Sequence, residues 1–295
     1  MKKIISIFII IMTIFVLSGC QNQENKVVIG SKPMAESYII AEMLGQLIES
    51  NSDINVEYKT GIGGGTSNIQ PAMEAGEIDM YPEYTGTGWL FVLKKDLIND
   101  PTELYTQVAK EYKDAYNFKW LELYGFNDTY SLSMDRKLAE ENNIDTYSDL
   151  AENSSKFVLG AEYDFYERED GYPGLVSEYG FAFKQTKDMD IGLKYKAIGA
   201  GEVDVINNFS TDGLISEYDL KVLKDDKQFF PAYEAATVIR QETLDKYPEL
   251  EEILNKLAGK INDEEMQQMN YYVEHDNKDP KLVAKEFLES KGLLK

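Results

Sequence analysis

Apolar positions along the chain fall into short runs and longer stripes that alternate. Lys26 to Ile29 is a strand-like run, and Ile39, Ile40, Met43, Leu44, Leu47 and Ile48 then recur at helical spacing. Val56-Glu57-Tyr58-Lys59 predicts a second strand, Thr66 to Met73 a helix, and Ile78 to Tyr81 a third strand. In the second half Phe157 to Leu159, Val203 to Ile206 and Leu220 to Leu223 read as strands, with helical stretches between. Strands alternating with helices predict α/β architecture with mostly parallel sheets. Toward the C-terminus Leu250, Ile253, Leu254, Leu257 and Ile261 form one helical stripe. Asp279-Pro280 offers an N-cap and a first-turn proline for a last helix through Val283, Phe287 and Leu288, ended by Gly292.

The two halves echo each other. Gly76-Glu77-Ile78-Asp79 matches Gly201-Glu202-Val203-Asp204, and eight residues after each glycine stands an aromatic, Tyr84 and Phe209. Upstream, Val28-Ile29-Gly30 and Val158-Leu159-Gly160 are both apolar runs ending in glycine, 46 and 41 residues before the second glycine of each half. A repeat over a hundred residues long is no solenoid; it predicts two similarly built lobes with a ligand cleft between them. Segments of strand character at Asn127–Leu132 and Phe230–Ala235 are where the chain crosses between lobes. This places lobe I at 27–131 and 236–295, and lobe II at roughly 132–235.

At the N-terminus, Lys2 and Lys3 precede an apolar run from Ile4 to Leu17 that ends in Leu17-Ser18-Gly19-Cys20. The run is shorter than the roughly 20 residues that span a bilayer. Basic residues, an apolar core and a small-residue cleavage site make a secretory signal over residues 1–19. LSGC resembles a bacterial lipobox, which makes Cys20 the lipidated N-terminus and residues 20–26 a polar tether. Cys20 is the single cysteine of the chain, so no disulfide framework claims it.

The formal charge is −22, and −24 once Lys2 and Lys3 leave with the signal. Such acidity excludes nucleic acid as a partner and adhesion to anionic lipid through a basic patch. Gly61-Ile62-Gly63-Gly64-Gly65-Thr66 lacks the Lys-Ser/Thr pair of a phosphate loop and reads as a strand-to-helix turn. Enzyme signatures are thin: there is no GxSxG, and the lone histidine, His275, lies in a polar helical stretch. No metal site and no cofactor are expected.

Tyrosine is abundant, with 20 residues beside 13 Phe and 2 Trp. Tyr84 and Phe209 stand at matching strand ends, and Tyr130 and Tyr233 lie in the crossing segments. Four aromatics converging on a cleft make a cage for a quaternary ammonium, which has no N–H to donate and is held by ring quadrupoles instead.

GSKPMAESYIIAEML, GGGTSNIQPAMEAGEIDMYPEYTGTGW, NDTYSLSM, REDGYPGL, NNFSTDG and FFPAYEAATVI, in this order along the mature chain, resemble the glycine betaine/carnitine/choline-binding proteins of ABC importers. The resemblance implies a two-lobed periplasmic-binding-protein fold of type II-like architecture, closing around a compatible solute. It implies that Tyr84, Tyr130, Phe209 and Tyr233 form the cage, and that Lys32, Thr87 and Arg168 hold the ligand carboxylate. Phe209 departs from the tyrosine of many relatives, keeping the ring face without the hydroxyl. The implied partners are a small quaternary-ammonium ligand, the permease subunits of an osmoprotectant importer and the lipid on Cys20.

The residues themselves leave alternatives at the carboxylate end. Lys32 precedes Pro33 at the start of the first helix, where free N–H groups favour an anion; without that placement a solvated surface lysine is the better reading. Arg168 stands among Glu167, Glu169 and Asp170, so a structural salt bridge competes with ligand binding. Thr87 either lends a hydroxyl or caps the Trp89 stretch. A receptor for another carboxylated zwitterion, such as an amino acid, and a non-transport lipoprotein of the same fold are the competing readings.

Overall fold

The structure is a computed structural model that describes residues 25–215 and 217–294. The signal segment and Cys20 lie outside the described residues. Two five-stranded sheets are built the same way. The first contains β1 (Lys26–Gly30), β2 (Asn55–Lys59), β3 (Met80–Tyr84), β4 (Phe118–Asn127) and, from the far end of the chain, β10 (Glu234–Arg240). The second contains β5 (Tyr130–Asp135), β6 (Val158–Ala161), β7 (Gln185–Asp188), β8 (Val205–Phe209) and β9 (Leu220–Val222). Strand order is β2-β1-β3-β10-β4 in one and β7-β6-β8-β5-β9 in the other. In each sheet the strand on the far side of the central one, β10 or β5, arrives from the other half of the chain.

That insertion corrects the expectation of mostly parallel sheets. β1 pairs in parallel with β2 and β3, but β10 runs antiparallel to both β3 and β4. The second sheet repeats the mixture, with β6 parallel to β7 and β8, and β5 antiparallel to β8 and β9. βαβ crossovers give the parallel pairs, whereas a strand returning from the other sheet enters from the opposite end.

The local reasons for the elements are direct. The helix Ala35–Asn51 buries Ile39, Ile40, Met43, Leu44, Leu47 and Ile48 completely against the first sheet and the C-terminal helices. The helix Pro101–Tyr116 starts on an Asp100 cap, whose carboxylate accepts from Glu103 N at 2.8 Å, and ends on Asn117 in the left-handed region. The helix Pro280–Ser290 begins on Asp279, as its sequence predicts. The stripe from Leu250 to Ile261 is buried throughout but is not one helix. It breaks after Leu257, where Gly259 takes φ 63° and Ile261 packs beyond the turn. His275 ends the helix Asp263–Glu274, partly exposed and stacked on Tyr271. No helix among the described residues is long and apolar enough to cross a membrane.

β3 and β8 start two residues later than the apolar pattern suggests, because the GE(I/V)D segments are turns. Gly76 and Gly201 take φ 76° and 70°, a region that favours glycine. Asp79 N donates to Val28 O and its carboxylate accepts from Val28 N; Asp204 does both to Val158. The turn therefore pins the central strand of each sheet to its neighbour, and sets where its last residue falls.

Candidate functional site

Tyr84 and Phe209 are the last residues of β3 and β8. The antiparallel neighbour of each strand supplies a second ring. Tyr130 opens β5 directly opposite Phe209, with centroids 4.8 Å apart. Tyr233 immediately precedes β10, whose Ala235 faces Tyr84, and it meets Tyr130 edge-on at 5.5 Å. Gly86 makes room for it, since a Cβ there would stand 2.7 Å from the Tyr233 ring. These four rings line one cavity of about 800 Å³ between the sheets. Lys32, Thr87 and Arg168 line the same cavity, so all seven residues singled out from the sequence are brought together.

The basic residues already have protein partners. Lys32 Nζ lies 2.5 Å from Glu83 Oε1 and 4.5 Å from the Tyr84 ring centroid. Glu83 is fully buried and also accepts from Thr66 Oγ1 at 2.7 Å, Tyr81 OH at 2.9 Å and Tyr84 N at 2.9 Å. Arg168 is buried and donates from Nε to Asp170 Oδ1 at 2.8 Å and from Nη2 to the other oxygen. Asp170 also accepts from the Tyr233 hydroxyl at 2.7 Å. The guanidinium lies 4.8 Å over Phe91 and 5.7 Å from the Tyr130 centroid. Arg168 thus anchors the Tyr233 ring through Asp170 and faces the Tyr130 ring itself. Thr87, buried, opens a π-helical turn over Thr87–Val92.

Among the groups on the cavity wall that sequence reading missed are Phe91, Asp128 and Glu162. Asp128 sits inside NDTYSLSM beside Tyr130, and its isolation among polar residues gave no cue to its burial. Glu162 accepts from Asn207 Nδ2 at 2.8 Å and stands 3.5 Å from Lys194 Nζ. Lys194 is fully buried, 3.8 Å from Asp212, with its ammonium 4.8 Å over the Phe209 ring and no direct hydrogen bond. Each strand-end aromatic therefore has a lysine ammonium over it, Lys32 on Tyr84 and Lys194 on Phe209. Among the described residues no group of three His, Cys, Asp or Glu side chains is placed to hold a metal ion.

Such a cavity can hold a cation by ring faces and a short anionic group by whatever donor capacity remains on Lys32, Thr87 and Arg168. Residues 25–290 match the family model for the substrate binding domain of ABC-type glycine betaine transport systems. Over 271 residues, 92% of this chain, the sequence is 47% identical to an ergothioneine transport permease/ergothioneine binding protein of Helicobacter pylori (strain G27). The chain spans about half of that relative's length, 48%. It is 36% identical over 298 residues to a carnitine transport binding protein of Listeria monocytogenes serotype 1/2a, covering 98% of this chain and 96% of that one. A solved glycine betaine/carnitine/choline ABC transporter structure superposes with a TM-score of 0.74 at 37% identity, covering 90% of this chain and 99% of the other.

Proposed function

The chain belongs to the substrate-binding family of ABC-type glycine betaine transport systems, and we propose that it is the extracytoplasmic receptor of an importer for quaternary-ammonium carboxylates. The observation that carries this reading is the ring cluster itself: Tyr84 and Tyr233 from the first sheet's edge of the cleft, Tyr130 and Phe209 from the second. Each desolvated ring adds about 1–2 kcal/mol of cation–π attraction, and a site needing rings from both lobes rewards closure. Lys32, Thr87 and Arg168 form the carboxylate end. Glycine betaine, carnitine and choline are the ligands of this reading, and osmoprotection is the role. The activity is binding and delivery to permease subunits, without covalent chemistry.

The lobe limits 27–131 with 236–295, and 132–235, belong to this proposal. The chain changes sheets around Asp128-Thr129 and again between Val222 and Glu234, which supports these limits to within a few residues, with Tyr130 falling on the second sheet's side and Tyr233 on the first's. Anchoring through a lipid on Cys20 rests on the basic, apolar and LSGC order of the N-terminus.

A second reading has its own support. The 47% identity to the Helicobacter protein and a cavity of about 800 Å³ favour a bulkier betaine, ergothioneine, in the same cage. A thermal-shift panel of glycine betaine, carnitine, choline and ergothioneine against sugars and unmethylated amino acids separates the readings. A shift with any quaternary ammonium supports the receptor; a shift only with an unmethylated amino acid or a sugar refutes it.

A further inference from the structure

One threonine hydroxyl touches two buried carboxyl groups. Thr211 Oγ1 lies 2.6 Å from Glu36 Oε2 and 2.6 Å from Asp128 Oδ1. The three residues come from different parts of the fold: Glu36 from the helix Ala35–Asn51, Asp128 from the first crossing, Thr211 from the turn after β8. All three are essentially excluded from water, with relative exposures of 1%, 3% and 1%. Glu36 Oε1 accepts from the Tyr84 hydroxyl at 2.5 Å, and Asn270 Nδ2 approaches Oε2 at 3.3 Å while donating to Thr211 O at 2.9 Å.

A hydroxyl has one proton and can donate it once. With both acids ionised, one of the two short oxygen contacts would have no hydrogen in it, and two buried charges would face each other unpaired. Glu36 already receives donors from Tyr84 and Asn270, so it is the better acceptor. The consistent arrangement is Asp128 protonated and donating to Thr211, Thr211 donating to Glu36, and Tyr84 donating to Glu36 from the other side.

We propose that Asp128, Thr211 and Glu36 form a proton-holding bridge between the lobes that positions the cage ring of Tyr84, so that closing on a betaine takes up a proton from solvent. Glu36 is a positioning residue in this scheme, acting on the ligand through Tyr84. The proposal rests on the receptor reading above.

The surroundings agree. Burial raises the Asp128 carboxyl well above the ordinary range, with Glu36 and Asp212 adding to it, while the Thr211 hydroxyl and backbone N–H oppose. Burial raises Glu36 to about 7, against the hydrogen bonds from Thr211, Tyr84 and Asn270 and with help from Asp212. On the helix Asp263–Glu274, Glu274 is raised to about 8 by burial and by Asp212, against Lys194. The positive charge facing the cluster is Lys194, shared between Glu162 and Asp212. On the far side of Tyr84, Lys32 is held by Glu83. A ligand cation favours an ionised Asp128, but a zwitterion brings its own carboxylate and exerts little net field; choline does not.

An open form that parts Thr211 and Glu36 from Asp128 would relieve the acid of its buried neighbours and return it toward the ordinary carboxylate range. A carboxyl whose value is raised on closure favours the closed form at low pH and loses that contribution as pH rises toward the raised value. Affinity for the zwitterion therefore falls as pH rises above about 4, by up to tenfold per unit for one proton.

The test is calorimetry of the full mature protein at pH 5 to 8.5, in buffers of different ionisation enthalpy, with whichever of glycine betaine, carnitine or ergothioneine binds. The wild type is expected to take up a substantial fraction of one proton per ligand near pH 7, and less with choline. Asp128→Asn, whose amide donates to Thr211 in place of the acid proton, is expected to bind about tenfold more tightly than the wild type at pH 5, to widen that lead as pH rises, and to take up distinctly less proton, the remainder coming from Glu36 and Glu274. Thr211→Val is expected to weaken binding about tenfold or more. No uptake by the wild type, or equal uptake by Asp128→Asn, overturns the bridge. If no quaternary ammonium binds at any pH, the receptor reading falls instead. The bridge is then judged on the unliganded protein, where the wild type should lose melting temperature relative to Asp128→Asn from pH 5 to 8.5. Parallel curves there overturn it.

Discussion

Arg168 and Asp170, two residues apart, form a two-pronged ion pair inside the protein, and the same Asp170 receives the Tyr233 hydroxyl. The arginine thereby holds the Tyr233 ring in place whether or not it also touches a ligand. Removing it alone leaves a buried carboxylate uncompensated, which costs about 3–5 kcal/mol. Arg168→Ala is expected to destabilise the fold by that order, with a matching drop in melting temperature. Combined with Asp170→Asn it separates the two roles. The double variant should recover stability, bind choline within about threefold of wild type, and lose glycine betaine by tenfold or more, as befits a missing charge-assisted bond. Equal losses for both ligands would make Arg168 purely structural.

Tyr84→Ala and Tyr233→Ala should each weaken every quaternary ammonium ligand by about 1–2 kcal/mol, or roughly five- to thirtyfold. Tyr84→Phe keeps the ring but strips Glu36 of a donor, so its loss measures positioning apart from the ring face. An alanine at either position that left calorimetric affinities unchanged would remove that ring from the cage.

Gly213 follows β8 and lies directly on the backbone of Tyr271, in the helix Asp263–Glu274 beside the first sheet. A Cβ there would stand 2.4 Å from Tyr271 N, 2.5 Å from Tyr271 Cα and 2.9 Å from Asn270 C, all main-chain atoms rather than the end of a flexible side chain. Gly213→Ala should wedge the lobes apart. Affinity should fall at least tenfold, and small-angle scattering should show no compaction when ligand is added at saturation. Wild-type affinity in this variant would show that the contact relaxes at little cost.

Cys20→Ala should move the protein from the membrane fraction to the soluble extracytoplasmic fraction and abolish incorporation of labelled lipid. Retained lipid label would put the anchor elsewhere.

How far the sequence reached depends on whether a feature is local. Asp79 and Asp204 make the same two bonds to Val28 and Val158 because the GE(I/V)D turn is a short-range structure, and the echo in the sequence exposed it. The strand-end positions of Tyr84 and Phe209 follow from those turns, and the opposing tyrosines follow from strand pairing next to them. Contacts between distant segments were not legible. Nothing around Glu83 announces that it holds Lys32, and nothing in Lys194-Tyr195-Lys196 marks the first lysine for complete burial. Glu36, Asp128 and Thr211 all fall inside motifs that were noticed, but their meeting depends on how the two sheets close on each other. The broken C-terminal stripe failed for a different reason: apolar spacing records burial, and Ile261 stays buried after the helix has ended.

The central claim is that a quaternary ammonium is held by rings from both lobes. Isothermal titration of glycine betaine, carnitine, choline and ergothioneine into the mature protein, beside Tyr233→Ala, tests it most directly. The account predicts one site per chain, micromolar or tighter affinity for at least one of the four, and a roughly tenfold loss in the variant. Saturable binding of an unmethylated amino acid or sugar alone, or identical wild-type and Tyr233→Ala isotherms, would contradict it.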